Sequence, residues 1–178
     1  MLESALTMPD SPVNPTVFAV LEATPPVLRA LFAKLPDATG TEPLDDGWSA
    51  RHVLAHVLDT EEVIVGRMRR IVEEDRPFIA SIDPLARLQA AGYLERNVDS
   101  LLHDFETRRA EGIAWLRSAT DAQLARLGEH DEAGEISAAD HAHQWAYHDL
   151  MHLKQLASIV EAVVERGMGN TRRFYFDV

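Results

Sequence analysis

Apolar positions recur along much of this chain at intervals of three and four, the spacing that lines one face of an α-helix. Val17, Val20, Leu21, Val27, Leu28, Leu31, Phe32 and Leu35 trace one such stripe and predict a helix over about residues 16–35. Pro25 and Pro26 lie inside it and are expected to kink or split it, because proline lacks the N–H that a helix interior uses. A loop rich in Asp, Gly and Pro follows over residues 36–47. Ser49 fits an N-cap. Behind it Val53, Leu54, Val57, Leu58, Ile64, Val65, Met68, Ile71 and Val72 carry a second helix to about Glu74. After a connector over residues 76–84, a third helical stretch runs over about 85–118, broken near Gly92, with Val98, Leu101, Leu102, Phe105, Ile113 and Leu116 as its stripe. Residues 120–136 read as a loop with a short helix. Ser137 and Asp140 form a capping-box pattern for a last helix that ends near Arg166, where Gly167 supplies the stop.

No period-two alternation is long enough to predict a strand. Four long amphipathic helices joined by loops predict an all-α fold, a four-helix bundle. Residues 1–14, with Pro9 and Pro12, are expected to form a flexible arm, leaving 15–178 as a single domain. The tail, with Phe174, Tyr175 and Phe176, is expected to pack back or to meet a partner.

Composition narrows the chemistry. The formal charge is -12, from 29 acids against 17 Lys and Arg, and such a surface repels phosphate backbones, so no nucleic-acid partner is expected. There is no apolar run long enough to cross a bilayer and no signal-peptide pattern, so no membrane partner is expected and the cytoplasm is the expected location. With no cysteine, any metal site must be built from His, Asp and Glu.

The histidines are the informative residues. His148 and His152 are four apart on the last helix, which puts their Cβ atoms about 5–6 Å apart on one face. At about 100° per residue, His152 falls about 40° and His148 about 80° from the centre of the core stripe, so both border the core. His141, Gln155 and Ile159 share that flank, whereas His143 points to the opposite side and is expected to be solvated. On the second helix His56 lies roughly 120° from the stripe centre, at the edge of the apolar arc, and His52 points further out. A third imidazole from a neighbouring helix would close a three-histidine site with an open position, but phase alone does not select it.

Phase also picks out polar residues inside apolar stripes: Glu61 on the second helix, Arg109 on the third stretch and Asp149 on the last. A buried charge needs a partner, so Arg109 is expected to pair with Glu61, Asp149 or both. Asp149 is also a candidate to orient a ligand imidazole through its other nitrogen, His56 more readily than His148. Asp59 and Gln155 are further candidates for that task, and His130, bracketed by Gly128 and Gly134, is a candidate to line the site.

Three stretches resemble the DinB/YfiT-like superfamily of metal-dependent four-helix proteins. The first is Gly47-Trp48-Ser49 through Val53-Leu54-Ala55-His56 to Asp59-Thr60-Glu61. The second comprises Phe105, Arg109 and Trp115-Leu116, with Gly128, His130 and Gly134. The third is Trp145 with His148-Asp149-Leu150, His152-Leu153 and Gln155. The resemblance spans roughly residues 16–166. It implies an up-down-down-up bundle with a long crossover, and a divalent transition metal, zinc or nickel, held by His56, His148 and His152. It also implies a homodimer and a small-molecule substrate. One departure is His52, where the family commonly carries an acid that completes the capping box after the serine.

Three functions follow from such a centre. The first is a metal-dependent transferase that conjugates a low-molecular-weight cellular thiol to electrophiles; with no cysteine in the chain, that thiol must be a separate molecule. The second is a metal-dependent hydrolase, weakened because no glutamate stands beside the histidine pair as a base. The third is a non-enzymatic, stress-associated metal- or ligand-binding protein.

Overall fold

The computed structural model describes residues 11–33, 35 and 47–176. The expected loop over 36–46 and the expected arm over 1–10 lie outside the described residues. Four long helices dominate: α1 (Pro15–Phe32), α2 (Ala50–Glu73), α4 (Val98–Ser118) and α6 (Ala138–Glu165). Shorter elements fill the connections: β1 (Phe78–Ile79), α3 (Pro84–Ala91), α5 (Asp121–Leu124), β2 (Leu127–His130), β3 (Gly134–Ser137) and a terminal α7 (Arg173–Phe176).

α1 and α2 each pack on both α4 and α6, so the ring order is α1, α4, α2, α6. Cross-helix contacts fix the directions. Arg29 meets Glu106 and Glu22 meets Arg117, so α1 and α4 are antiparallel. Glu62 meets Arg108 and Val65 faces Gly112, so α2 and α4 are parallel. His56 meets His148 and Glu61 meets Trp145, so α2 and α6 are antiparallel. The bundle is therefore up-down-down-up, and the parallel pair α2–α4 requires the long crossover over residues 74–97 that β1 and α3 occupy.

Caps set the helix ends. Asn14 accepts the Thr16 N–H at 2.9 Å to start α1. Ser49 caps α2 in a capping box whose second half is His52: its Nδ1 stands 3.3 Å from the Ser49 N–H, taking the role of the missing acid. Ser137 and Asp140 form the expected box at α6. Gly92, at φ 62°, ends α3 in the left-handed region that other residues adopt at a cost.

Four expectations need correction. The prolines do not split α1, which runs unbroken from Pro15 to Phe32. Pro25 has no N–H for the Leu21 carbonyl, and that carbonyl instead accepts from Arg109 Nη1 at 2.9 Å, so the lost helix bond is replaced from α4. A three-stranded sheet exists although no strand was expected: β1 pairs parallel with β2, and β2 antiparallel with β3. Its strands are two to four residues long, too short to show alternation. Residues 13 and 14, expected in a flexible arm, are ordered instead: Val13 is buried in the core beside Val17 and Leu21, and Asn14 caps α1. His143, expected in solvent, is half-buried and accepts the Asn14 N–H at 3.3 Å. The tail residues Phe174, Tyr175 and Phe176 remain exposed, with Arg172 lying over the Phe176 ring.

Candidate metal centre

Two polar clusters sit where α2, α4 and α6 meet. The first is centred on Arg109, 1% exposed in the bundle interior. A guanidinium has five N–H donors, and all five are used. Nε and Nη2 donate to the two Glu61 oxygens at 2.9 and 2.6 Å. Nη2 and Nη1 donate to the two Asp149 oxygens at 2.9 and 2.5 Å. Nη1 also donates to Leu21 O. Trp145 Nε1 donates to Glu61 at 2.8 Å, and the guanidinium lies over the Trp145 and Phe105 rings. Trp145 gets this close because residue 112 is glycine: a Cβ there would stand 2.7 Å from the indole. Burial works against the Arg109 charge, but the two carboxylates more than offset it and its pKa is raised. Both partners foreseen for Arg109 are therefore engaged at once.

The second cluster is His56, His148 and His152, whose ligand atoms all lie within 4.8 Å of one another. His148 Nε2 is 2.9 Å from His56 Nε2 and 3.1 Å from His152 Nε2. Two donors that each stand about 2.0–2.1 Å from one ion are themselves about 2.8–3.4 Å apart for angles between square and tetrahedral. The protonation pattern suits the same occupant. His152 Nδ1 lies 2.8 Å from Gln155 Oε1, so Nδ1 carries the proton and Nε2 presents its lone pair. A neutral His148 ring has one proton at most for two Nε2 neighbours, so hydrogen bonding cannot satisfy both contacts, whereas a cation satisfies all three nitrogens. Burial pushes the pKa of His56 down to about 4 and that of His148 down to about 3, with His152 adding to both, so these rings are neutral at pH 7. Burial lowers His152 as well, although Gln155 opposes it. The Arg109 cluster holds two carboxylates against one guanidinium. Its field at the histidines is mixed: Asp149 favours positive charge at His152, whereas Arg109 opposes it at His148.

The other sequence candidates separate. Gln155 supports His152, as one of its foreseen roles required. Asp149 does not orient His56: both its oxygens are taken by Arg109, and Nδ1 of His56 and of His148 have no hydrogen-bond partner among the described residues. Asp59 is buried and accepts both ends of the Arg87 fork at 2.7 and 2.9 Å, which ties α3 onto α2. His130 is not in the site. Its Nδ1 accepts the Glu132 and Ala133 N–H groups in the hairpin turn. Gly128 of the same strand packs on Ile71, fifteen residues and thus about 22 Å along α2 from His56.

Sequence reasoning missed Trp48. It stands edge-on to His56 at 5.1 Å between ring centroids and stacks on His152 at 6.2 Å and 17°. Trp48 lies in a non-helical stretch ahead of α2, where periodicity has no hold; its place inside the motif Gly47-Trp48-Ser49 was the only available signal.

Comparison with known proteins agrees with this geometry. The family model of the DinB superfamily matches residues 21–156. Two curated relatives bear the name "Putative metal-dependent hydrolase". OB0782 of Oceanobacillus iheyensis is 24% identical over 113 residues, covering 64% of this chain and 65% of that protein, just under two thirds of its length. YfiT of Bacillus subtilis is 25% identical over 143 residues, covering 78% of this chain and 80% of that one. The solved YfiT structure, described as having an unusual four-helix bundle topology, superposes with a TM-score of 0.75 at 22% identity and covers 86% of each chain. A mycothiol-dependent maleylpyruvate isomerase shares the fold at TM-score 0.63 and 17% identity, over 79% of this chain and 59% of its own.

Proposed function

The chain belongs to the DinB superfamily, and on that premise we propose that it is a metal-dependent transferase that joins a low-molecular-weight thiol to an electrophile. His56, His148 and His152 would hold a divalent transition metal, zinc or nickel, through their Nε2 atoms. Such an ion, bound by three neutral nitrogens with a position left open, lowers the pKa of a thiol or water there and keeps it a nucleophile at neutral pH. In the transferase reading a sulfur–carbon bond forms, the electrophile's leaving group departs with its electron pair, and the thiol proton passes to solvent.

The residues of the chain prepare this. Gln155 fixes the His152 tautomer, Trp48 covers the rings of His56 and His152, and burial keeps the imidazoles free of protons. The observation that carries the choice is the absence of a free carboxylate among the described residues around the centre. Asp149 and Glu61 are locked by Arg109, and Asp59 is locked by Arg87. Hydrolysis of an amide calls for a group that hands a proton to the leaving amine, whereas a thiolate displaces a good leaving group without one.

The hydrolase reading is favoured by the names of OB0782 and YfiT. One assay separates the two: metal-loaded protein is given a thiol with a reactive electrophile and, separately, ester and amide substrates. Thiol consumption above background that disappears on chelation supports the transferase. Cleavage of the esters or amides with no thiol consumption would replace it with the hydrolase. A non-enzymatic binding protein would show neither activity.

A further inference from the structure

Three contacts register the surroundings of α2. His56 meets His148 of α6, Asp59 holds Arg87 of α3, and Arg67 Nη2 donates to the Ala80 carbonyl at 2.7 Å. Residues 80–87 therefore run alongside α2 from the level of Arg67 down to that of Asp59. His56, Thr60, Val63 and Arg67 follow one another at spacings of four, three and four, so they form a single stripe. That stripe lies between α6 on one side and the segment 80–87 on the other.

Arg67 is eleven residues beyond His56, about 16 Å along the axis, and a long helical side chain leans back toward the helix N-terminus, so its guanidinium stands on the order of 10 Å from the three ring nitrogens. It is half-buried, and among the described residues Ala80 O is its one hydrogen-bond partner. Unlike Arg87 and Arg109, it has no carboxylate within ion-pair distance among the described residues. Asp131 and Glu132 lie in its field, as does Arg87. Asp131, however, spends its two oxygens on the Ser81 N–H and hydroxyl at 2.8 and 2.6 Å. His141, wholly buried on the α6 side, is held neutral by burial, with Arg67 adding to the shift. The result is a half-desolvated cation with four donors to spare, on the same stripe as a ligand of the proposed metal.

We propose that Arg67 is the anion-recognising end of the substrate groove, and that the thiol taken at the three histidines carries a carboxylate or phosphate on the order of 10 Å from its sulfur. This rests on the thiol reading above and names the class of thiol it uses.

Cobalt(II)-loaded protein, followed by its thiolate charge-transfer absorption, is titrated with mercapto-octanoate, mercapto-octylphosphonate and mercapto-octanol, which place different groups at one distance from sulfur. Wild type is expected to bind one or both oxyanions about ten- to a hundredfold more tightly than the alcohol, the range for a charge-assisted pair. R67Q, checked for a native melting curve, is expected to lose that preference while keeping its affinity for the alcohol, and R67K to keep part of it. The tighter oxyanion identifies carboxylate or phosphate. Equal binding of all three by wild type, or a preference that survives in R67Q, overturns the role of Arg67 and leaves the thiol reading standing. Cobalt-loaded protein that shows no thiolate band with any probe overturns the thiol reading and this inference with it.

Discussion

The Arg109 cluster and the histidine cluster share α2 and α6 and lie one residue apart in sequence at His148 and Asp149, yet they are built on opposite rules. Around Arg109 every donor has an acceptor, and even the carbonyl freed by Pro25 is used. Around the histidines, nitrogens crowd together at 2.9 and 3.1 Å and two buried Nδ1 atoms lack partners among the described residues. A satisfied buried network holds helices in register. A buried group of converging imidazole lone pairs is instead a donor set that a cation would satisfy. Both clusters were conspicuous as polar residues at core positions, and it is satisfaction of hydrogen bonds, more than burial, that tells framework from site.

The comparison can be broken at either end. The largest effect is expected from Arg109→Met, which strands Glu61 and Asp149 without a counter-charge. Stability should fall by about 3–5 kcal/mol, a melting temperature lower by on the order of 10 °C, read by urea and thermal denaturation. Next is removal of the metal. At about a hundred times its dissociation constant an ion contributes about 2.7 kcal/mol, so chelation should lower the melting temperature by several degrees. The Arg109 network should be indifferent to chelation, which hydrogen exchange at α4 would report.

A smaller effect is expected from Gln155→Ala, which frees the His152 ring to rotate. Metal affinity should drop about ten- to a hundredfold, while the melting temperature of metal-free protein barely moves. The smallest is a pH effect on metal-free protein. The folded-state pKa values of His56 and His148 lie below those of the unfolded chain. As pH falls below about 6.5 the unfolded chain takes up protons first and stability declines. The rings are partly exposed, so the loss by about pH 5.5 should not exceed about 1 kcal/mol per ring. Metal-loaded protein should resist this decline, since the ion occupies the nitrogens that protons would claim.

Much of this was legible before any coordinates. Helical phase placed Glu61, Arg109 and Asp149 inside apolar stripes, and the structure joins all three. The four-residue spacing singled out His148 and His152. His56 was selected by resemblance, because a residue at the edge of a stripe can face any of several neighbours. Other features were out of reach for physical reasons. Trp48 has no helical phase. Arg67 and Arg87 find their partners across chain segments through long side chains that periodicity does not orient. Strands of two to four residues carry too few positions to alternate. The rule that proline breaks a helix held for the α1 hydrogen bond and failed for its continuity: Arg109, eighty-eight residues from Leu21 in sequence, supplied the missing donor.

The central claim is that His56, His148 and His152 together hold one ion. Its most direct test is the metal content of protein loaded with nickel or zinc and dialysed free of excess, measured for wild type and for His56→Ala, His148→Ala and His152→Ala, with His130→Ala and His143→Ala as controls. The account predicts a single ion per chain in wild type and both controls, and its loss in each of the three variants. Wild type that retains no ion, or site variants that retain as much metal as wild type, would contradict it.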